Sequence, residues 1–362
     1  MKYYIISGEK SGDLYGGYLM KSLAKYHNKN VNFICWGGDC MRKNNGEMVR
    51  SLKKLSFMGF WEVLKNFRTV IYNFQLIKRE LRNKKPDILI LIDYPGFNLK
   101  VAQYAKSKNI KVIWFVAPQV WAWNEKRVSK LKKYVDRMYV ILPFEEEYFK
   151  SKNFNVQFFG HPLTQLIEKR KLKISNSKKI IALFPGSRPQ EIKKILPIML
   201  NLIKYFNDYS FIIGGVKNID LKLYKKIIGN YNVKLVIDQT YKLMNLSSAV
   251  VLTSGTISLE AALFGVPQVV CYKTSFISYL IAKKFVKTKF ISLVNIISNK
   301  KVVDELIQGD FNLENLIISL EKSLNKNYIK KLNIDYNKIS NSLNKKFSFD
   351  NMAKDIIKFY NN

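Results

Sequence analysis

Histidine, cysteine and acidic side chains are scarce in this 362-residue chain. Two histidines, His27 and His161, are too few for a histidine-rich metal site. The three cysteines, Cys35, Cys40 and Cys271, form no CxxC pair and read as reduced packing residues of a cytosolic protein. No Asp-x-Asp occurs, so a carboxylate-held Mg²⁺ or Mn²⁺ is not expected, nor is any cofactor. No apolar run approaches the ~18 residues of a membrane-spanning helix. The start MKYYIISGEK lacks the basic, apolar and small-residue zones of a signal peptide. Both absences predict a cytoplasmic chain that does not cross a membrane. Asp and Glu number 27 against 61 Lys and Arg, a net charge of +34. The excess is spread evenly, with 29 basic against 13 acidic residues in 1–163 and 32 against 14 in 164–362. Such a charge attracts nucleic acid or an anionic membrane face. A Lys- and Asn-rich composition accounts for it equally well. No nucleic-acid motif is present, so no nucleic-acid partner is expected.

What is present is a repeated rhythm. Hydrophobic residues make up 48% and aromatics 14%, enough for two domains with separate cores. Strand-like runs occur at 2–7, 31–38, 87–93, 111–118 and 137–143, separated by helical stretches. Residues 164–180 are polar and basic and read as a linker. The rhythm restarts with KIIALFPG, YSFIIGG, VKLVID, AVVLTSG and PQVVCYK. The fold class is therefore α/β, with two Rossmann-like domains whose parallel sheets face a cleft. The expected domains are 1–165, then 175–330, with helices in 331–362 packing back on the first domain.

Loops after the strands carry the candidate chemistry. FPGSR (184–188) and TSGTISLEAALFG (253–265) each join an apolar run to a helical one, the pattern of a phosphate site on a helix N-terminus. Two such sites in one half point to a nucleotide diphosphate. Ser187 and Gln190 fit a capping box. Arg188 would then stand at the helix entrance, able to fork onto phosphate. Ser254, Gly255 and Thr256 form the second turn. Glu260 falls at neither box position and can bind ribose hydroxyls or simply favour the helix dipole. In the first half, SGEKSGD (7–13) is neither GxGxxG nor a P-loop. Ser11, Gly12 and Asp13 are candidates for close substrate approach, and Ser11 equally for a helix cap. Asp93 closes the run DILILID before a Pro-Gly turn. It suits a general base whose pKa burial raises, or a turn-forming aspartate. Trp121 and Trp123 share one loop and can stack on sugar, cover acyl chains or belong to the core. His161, in FGHPL, can touch substrate phosphate or be a satisfied loop histidine.

Residues 55–85 show helical apolar spacing interleaved with lysine and arginine. Phe60, Trp61, Val63, Leu64, Phe67 and Ile71 form a candidate patch for an anionic membrane surface. A second basic amphipathic stretch, 277–290, reads equally as a solvated helix face.

Taken together, SGEKSGD, MGFWEVL, IDYPGFN, VAPQVWAWNEKRV, LPFE, FGHPL, LFPGSR, SGTISLEAALFGVPQVVCYK and VKTKFISLVNII resemble the lipid-A-disaccharide synthases over about residues 1–310. These are inverting glycosyltransferases of the two-domain GT-B class. The resemblance implies UDP-2,3-diacylglucosamine as donor and 2,3-diacylglucosamine 1-phosphate (lipid X) as acceptor. The product it implies is a β-1,6 disaccharide phosphate plus UDP. It implies that Asp93 is the base, that Arg188 contacts the diphosphate, that Glu260 holds the ribose and that Asn295 lines the UDP site. It also implies work at the inner face of the cytoplasmic membrane and C-terminal segments that cross between the domains; domain-swapped homodimers occur in that family, and the sequence leaves open whether this chain forms one. GGDCM and VAPQVWAW depart from the GGPRM-like and VSPSVWAW forms common in that family, without removing a charged group from this list. Two rivals share part of the pattern. A UDP-sugar 2-epimerase has the same architecture but needs no basic amphipathic patch. A basic nucleic-acid binder needs neither PGSR nor SGTxxxE.

Overall fold

A computed structural model describes residues 1–27, 30–52, 67–168, 170–171, 179–275, 279–280, 283–284, 286–344 and 347–361. The chain forms two compact units, Met1–Pro162 with Lys345–Asn362, and Leu163–Asn344.

In the first unit the strands are β1 (Lys2–Ser7), β2 (Asn32–Gly37), β3 (Gly46–Ser51), β4 (Ile88–Ile92), β5 (Lys111–Phe115), β6 (Arg137–Val140) and β7 (Gln157–Phe158). The helices are α1 (Lys10–Tyr26), α2 (Asp39–Lys43), α3 (Phe67–Lys84), α4 (Pro95–Lys106), α5 (Val120–Trp123), α6 (Arg127–Tyr134) and α7 (Glu145–Lys150). Helix α8 (Pro162–Glu168) begins at the boundary between the units. The second unit holds β8 (Ile180–Phe184), α9 (Pro189–Leu200), β9 (Ser210–Gly215), α10 (Leu221–Ile228), β10 (Lys234–Ile237), α11 (Thr240–Leu246) and β11 (Ala249–Thr253). It continues with α12 (Thr256–Phe264), β12 (Gln268–Tyr272), α13 (Leu293–Ser298), β13 (Asp304–Ile307), α14 (Leu313–Leu324) and α15 (Lys326–Leu343). The last helix, α16 (Phe349–Asn361), returns to the first unit.

Each sheet is parallel. Their orders are β3-β2-β1-β4-β5-β6-β7 and β10-β9-β8-β11-β12-β13. Both follow the Rossmann plan, in which the chain starts centrally, runs to one side, then crosses to the other. The central strands explain themselves chemically. ILILI in β4, IIALF in β8 and AVVLT in β11 are buried along their whole length, because helices cover both faces. Leu89, Leu91, Trp36 and Trp114 anchor one core. Ile181, Leu183, Ile195 and Val251 anchor the other.

The ten strand-like runs all became strands. Three more strands, β3 (GEMVRS), β7 (QF) and β13 (DELI), end their sheets; the polar, charged character of β3 and β13 and the two-residue length of β7 hid them. Charge on an end strand is a common guard against stray pairing. The expected third segment, 331–362, is divided. Residues 326–343 belong to the second unit, where the Tyr336 hydroxyl donates to the Val266 carbonyl (3.3 Å) and accepts from Gln268 Nε2 (2.9 Å). Only α16 packs on the first unit. Its Asp350 accepts from Ser22 Oγ (2.7 Å), Lys25 Nζ (2.7 Å) and Tyr26 OH (3.1 Å). Its Asp355 accepts from Arg137 Nε and Nη2 (both 2.7 Å) and from Tyr139 OH (2.6 Å).

Asp355→Ala should leave the largely buried Arg137 guanidinium without its forked partner and lower the first unit's unfolding free energy by ~2 kcal/mol. Urea unfolding followed by near-UV dichroism checks this, and an unchanged midpoint would mean that α16 is held by apolar contacts alone.

Candidate functional site

In a doubly wound sheet, ligands sit beyond the C-terminal strand ends, beside the crossover strands. In the first unit those ends belong to β1, β4, β5 and β6. Asp93 follows β4 with its backbone in the left-handed region (φ 49°), and so does Tyr94 (φ 52°). Two such residues in succession are uncommon outside glycine and cost of order 1–3 kcal/mol each. The turn is held from both sides. Asp93 N donates to the Phe115 carbonyl (3.1 Å), and the Asp93 carbonyl accepts from Asn98 Nδ2 (2.7 Å). Helix α4 then starts directly at Pro95. At the end of the neighbouring β5, Val116 is also left-handed (φ 64°), a strained state for a β-branched residue. Trp114 Nε1 donates to its carbonyl (3.0 Å).

Asp93 is half-buried, and burial pushes its carboxyl up to about 7, reinforced by the negative charges of Glu9 and Glu145. Glu145 is the residue that sequence reasoning passed over. It lies in LPFE, quoted only as part of a resemblance, and is 1% exposed. Its Oε1 accepts from Trp121 Nε1 (3.1 Å). Its Oε2 accepts from the amides of Ile141 (3.2 Å) and Leu142 (3.0 Å). Burial raises Glu145 as well, to about 7. One carboxylate thereby joins the tryptophan loop after β5 to the turn after β6. Trp121 packs edge-on against Phe144, and Trp123 is exposed beneath the Arg127 guanidinium, 4.3 Å from its ring centre.

The loop after β1 packs against this turn. A Cβ placed on Gly8 would lie 2.5 Å from the Tyr94 ring, so only glycine permits that approach. Gly12 packs on the Ser7 hydroxyl and Ile92. Ser11 is not the helix cap. Glu9 occupies the N-cap of α1, and Ser11 lies inside the helix. Asp13 has a structural part. It is buried and accepts from the amides of Gly38 (2.7 Å), Cys40 (3.0 Å) and Met41 (3.1 Å), so it ties α1 to the start of α2. His161 is fully buried, and burial depresses it to about 3. It is neutral at working pH, in keeping with the loop-histidine alternative.

The second unit supplies donors. β8 and β11 are neighbours, and each leads into a helix with no side-chain cap on its N-terminus, α9 and α12. Such ends leave backbone N–H groups and positive dipole toward an anion. The expected capping box at α9 is replaced. Arg188 is the N-cap, and Glu191, not Gln190, reaches back to Ser187 N (3.1 Å). Gly186 carries φ +112° against that Glu191 side chain, a conformation suited to glycine. Arg188 Nη1 pairs with Glu191 Oε1 at 3.2 Å on the surface. At α12 the N-cap is Gly255, Thr256 is the first helical residue, and Ser254 Oγ donates to the Ile291 carbonyl (2.8 Å). Glu260 is the fifth residue of α12, beyond the turn where the helix dipole acts. It is half-buried, and burial pushes it up to about 7, opposed by the hydrogen bond from Tyr241 and the charge of Arg170. Asn295 turns its side chain into the fold. It is fully buried, donating to Val303 O (2.9 Å) and Glu305 Oε1 (2.8 Å) and accepting from the amides of Val302 (2.8 Å) and Val303 (3.0 Å). Its amide is fully used in shaping the loop before β13.

Of the expected membrane patch, Phe60, Trp61, Val63 and Leu64 and the side chain of Phe67 lie outside the described residues. Ile71 is exposed on α3, beside an exposed Tyr72. Among the described residues no helix is long and apolar enough to cross a membrane. Nor, among them, do three His, Cys, Asp or Glu side chains gather as metal ligands would.

The two parallel sheets and their strand-end sites define the GT-B class of two-domain, Rossmann-like glycosyltransferases and epimerases. Solved structures agree. A UDP-GlcNAc 2-epimerase from Neisseria meningitidis bound to UDP-GlcNAc superposes with a TM-score of 0.66, at 16% identity over 99% of each chain. A spinosyn rhamnosyltransferase gives 0.64 at 9% identity, over 98% of this chain and 100% of that one. At these identities the likeness concerns the fold. Sequence narrows it: the family profile described as lipid-A-disaccharide synthetase matches residues 3–357. A lipid-A-disaccharide synthase of Coxiella burnetii (strain Dugway 5J108-111) is 37% identical over 318 residues, 84% of each chain. Lipid-A-disaccharide synthase 1 of Legionella pneumophila (strain Paris) is 37% identical over 324 residues, 85% of this chain and 84% of that one. One from Geobacter metallireducens is 33% identical over 335 residues, 88% of this chain and 87% of that one. The chain belongs to the lipid-A-disaccharide synthase family and is a glycosyltransferase.

Gly8→Ala should force the Tyr94 ring aside and disturb the Asp93 turn, lowering turnover at least about tenfold with a small change in melting temperature. Steady-state kinetics beside a thermal melt test it, and unchanged turnover would show that the turn tolerates the shift.

Proposed function

We propose that this enzyme transfers the diacylglucosaminyl group of UDP-2,3-diacylglucosamine to the 6-hydroxyl of lipid X, releasing UDP and the β-1,6-linked disaccharide 1-phosphate. The observation that carries the mechanism is the strained, half-buried Asp93 at the end of β4, with a carboxyl raised to about 7. At that value it holds a proton about as readily as it gives one up near neutral pH, which suits a general base. Asp93 takes the proton of the acceptor 6-hydroxyl as that oxygen bonds to the donor anomeric carbon. The bond from that carbon to the UDP β-phosphate oxygen breaks, and the electron pair leaves with UDP. A single displacement turns the α-linked donor into a β-linked product.

The departing diphosphate needs positive partners. The amide ends of α9 and α12 and the guanidinium of Arg188 are the groups suited to supply them. An exposed ion pair such as Arg188–Glu191 contributes little by itself, so exchanging Glu191 for a diphosphate costs little. Glu260 accepts the ribose hydroxyls. The acyl chains of the substrates and the basic amphipathic sequence of residues 55–85 support a reaction at the inner face of the cytoplasmic membrane, with the protein bound peripherally. Exposed Ile71 and Tyr72 on α3, among Arg68, Arg79 and Arg82, support that reading.

The test is an assay with both lipid substrates in detergent with EDTA, reading UDP and disaccharide by mass. Formation of both is expected, and UDP release without disaccharide would point to a different acceptor. Asp93→Asn should reduce turnover by about 10²–10⁴-fold with folding intact. Because the base must be unprotonated to act, wild-type kcat/KM should fall as pH drops below about 7. Near-normal turnover of Asp93→Asn would remove Asp93 from the mechanism.

A further inference from the structure

Glu260 does not stand alone on α12. The Tyr241 hydroxyl, from α11, donates to its Oε1 at 3.2 Å, and among the described residues Oε2 carries no hydrogen bond. The Tyr241 ring is itself clamped. The Arg170 guanidinium lies 5.0 Å from its centre, and Phe264, at the end of α12, packs at 5.4 Å. Asn245 fixes both partners by donating to the Tyr241 carbonyl (2.9 Å) and the Arg170 carbonyl (3.0 Å). Arg170 comes from the turn after α8, where its amide donates to the Ile167 carbonyl (2.8 Å), and lies far in sequence from the other members.

We propose that Tyr241 and Arg170 are positioning residues of the nucleotide site. The phenol holds one oxygen of Glu260 and the guanidinium holds the phenol, so the second oxygen is presented to the two ribose hydroxyls of the donor. The inference rests on the nucleotide-binding reading of Glu260. A carboxylate with one oxygen pinned has fewer orientations to lose when a diol binds, which favours affinity. The two groups also act on charge. A hydrogen bond to the anion and a nearby cation each favour the ionised carboxylate, against a burial that opposes it. These are the titratable and charged groups that act on Glu260, one from α11 and one from the segment before β8.

The experiment is UDP binding by calorimetry between pH 5.5 and 8.5 for wild type, Tyr241→Phe, Arg170→Gln and Glu260→Gln, each with a thermal melt. Glu260→Gln reports the titration of UDP itself. Ionised Glu260 is the better acceptor, so binding should weaken as pH falls. Removing the phenol or the guanidinium raises the pH at which Glu260 protonates. Tyr241→Phe should therefore weaken UDP about fivefold at pH 7 and move the half-loss point to higher pH, while leaving the melting temperature near wild type. Arg170→Gln should move it the same way. A pH profile in both variants that overlies wild type would overturn the inference while leaving UDP binding intact. Absence of UDP binding by the wild type would instead overturn the nucleotide reading beneath it.

Discussion

Parallel strand pairing is the constraint on which the rest of this molecule depends. Each strand must return to the same end of the sheet before the next begins, so every strand finishes, and nearly every helix starts, along one edge. That edge collects whatever the loops carry. In the first unit it gathers Glu9, Asp93 and Glu145 from the ends of β1, β4 and β6. In the second it gathers two uncapped helix N-termini from adjacent strands. A base is needed where the nucleophile forms, and positive dipoles are needed where a diphosphate leaves. On the function proposed here, the same topology, used twice with different loops, provides each.

Desolvation is the second theme. Asp93, Glu145 and Glu260 are all raised to about 7, and in each case burial is the leading cause. What differs is the company each keeps. Glu145 is surrounded by three N–H donors and reads as a brace between loops. Asp93 sits on strained backbone with two other carboxylates acting on it. Glu260 has one phenol and one guanidinium on its side. A carboxylate with many donors holds structure, whereas one with few, at a strand end, is placed to react or bind.

The sheet architecture was readable because buried parallel strands are runs of apolar residues bounded by turns. DILILID and KIIALF announce themselves, whereas GEMVRS and DELI, ending their sheets, do not. The positions of Asp93 and Arg188 at strand ends were legible from the Pro-Gly and Gly-Ser turns beside them. The roles of Asp13 and Asn295 were not. Their side chains are consumed by amides up to 28 residues away in sequence, and only tertiary packing reveals that. Glu145 looked like one acidic residue in a run of three. The Arg170–Tyr241–Glu260 cluster joins three separate segments, which no local pattern connects. Tyr336 shows the same limit at the level of units: one hydroxyl, bonded to Val266 and Gln268, helps keep α15 with the second sheet.

The account turns on Asp93 being a base whose proton affinity is set by burial near neutrality. The most direct measurement is a carbon-13 NMR titration of the aspartate side-chain carboxyls, with Asp93→Asn used to assign the signal. A midpoint for Asp93 near pH 7 is the predicted result. A midpoint near the ordinary aspartate value of about 4 would contradict it, since such a carboxylate would be too weak a base for the role assigned here.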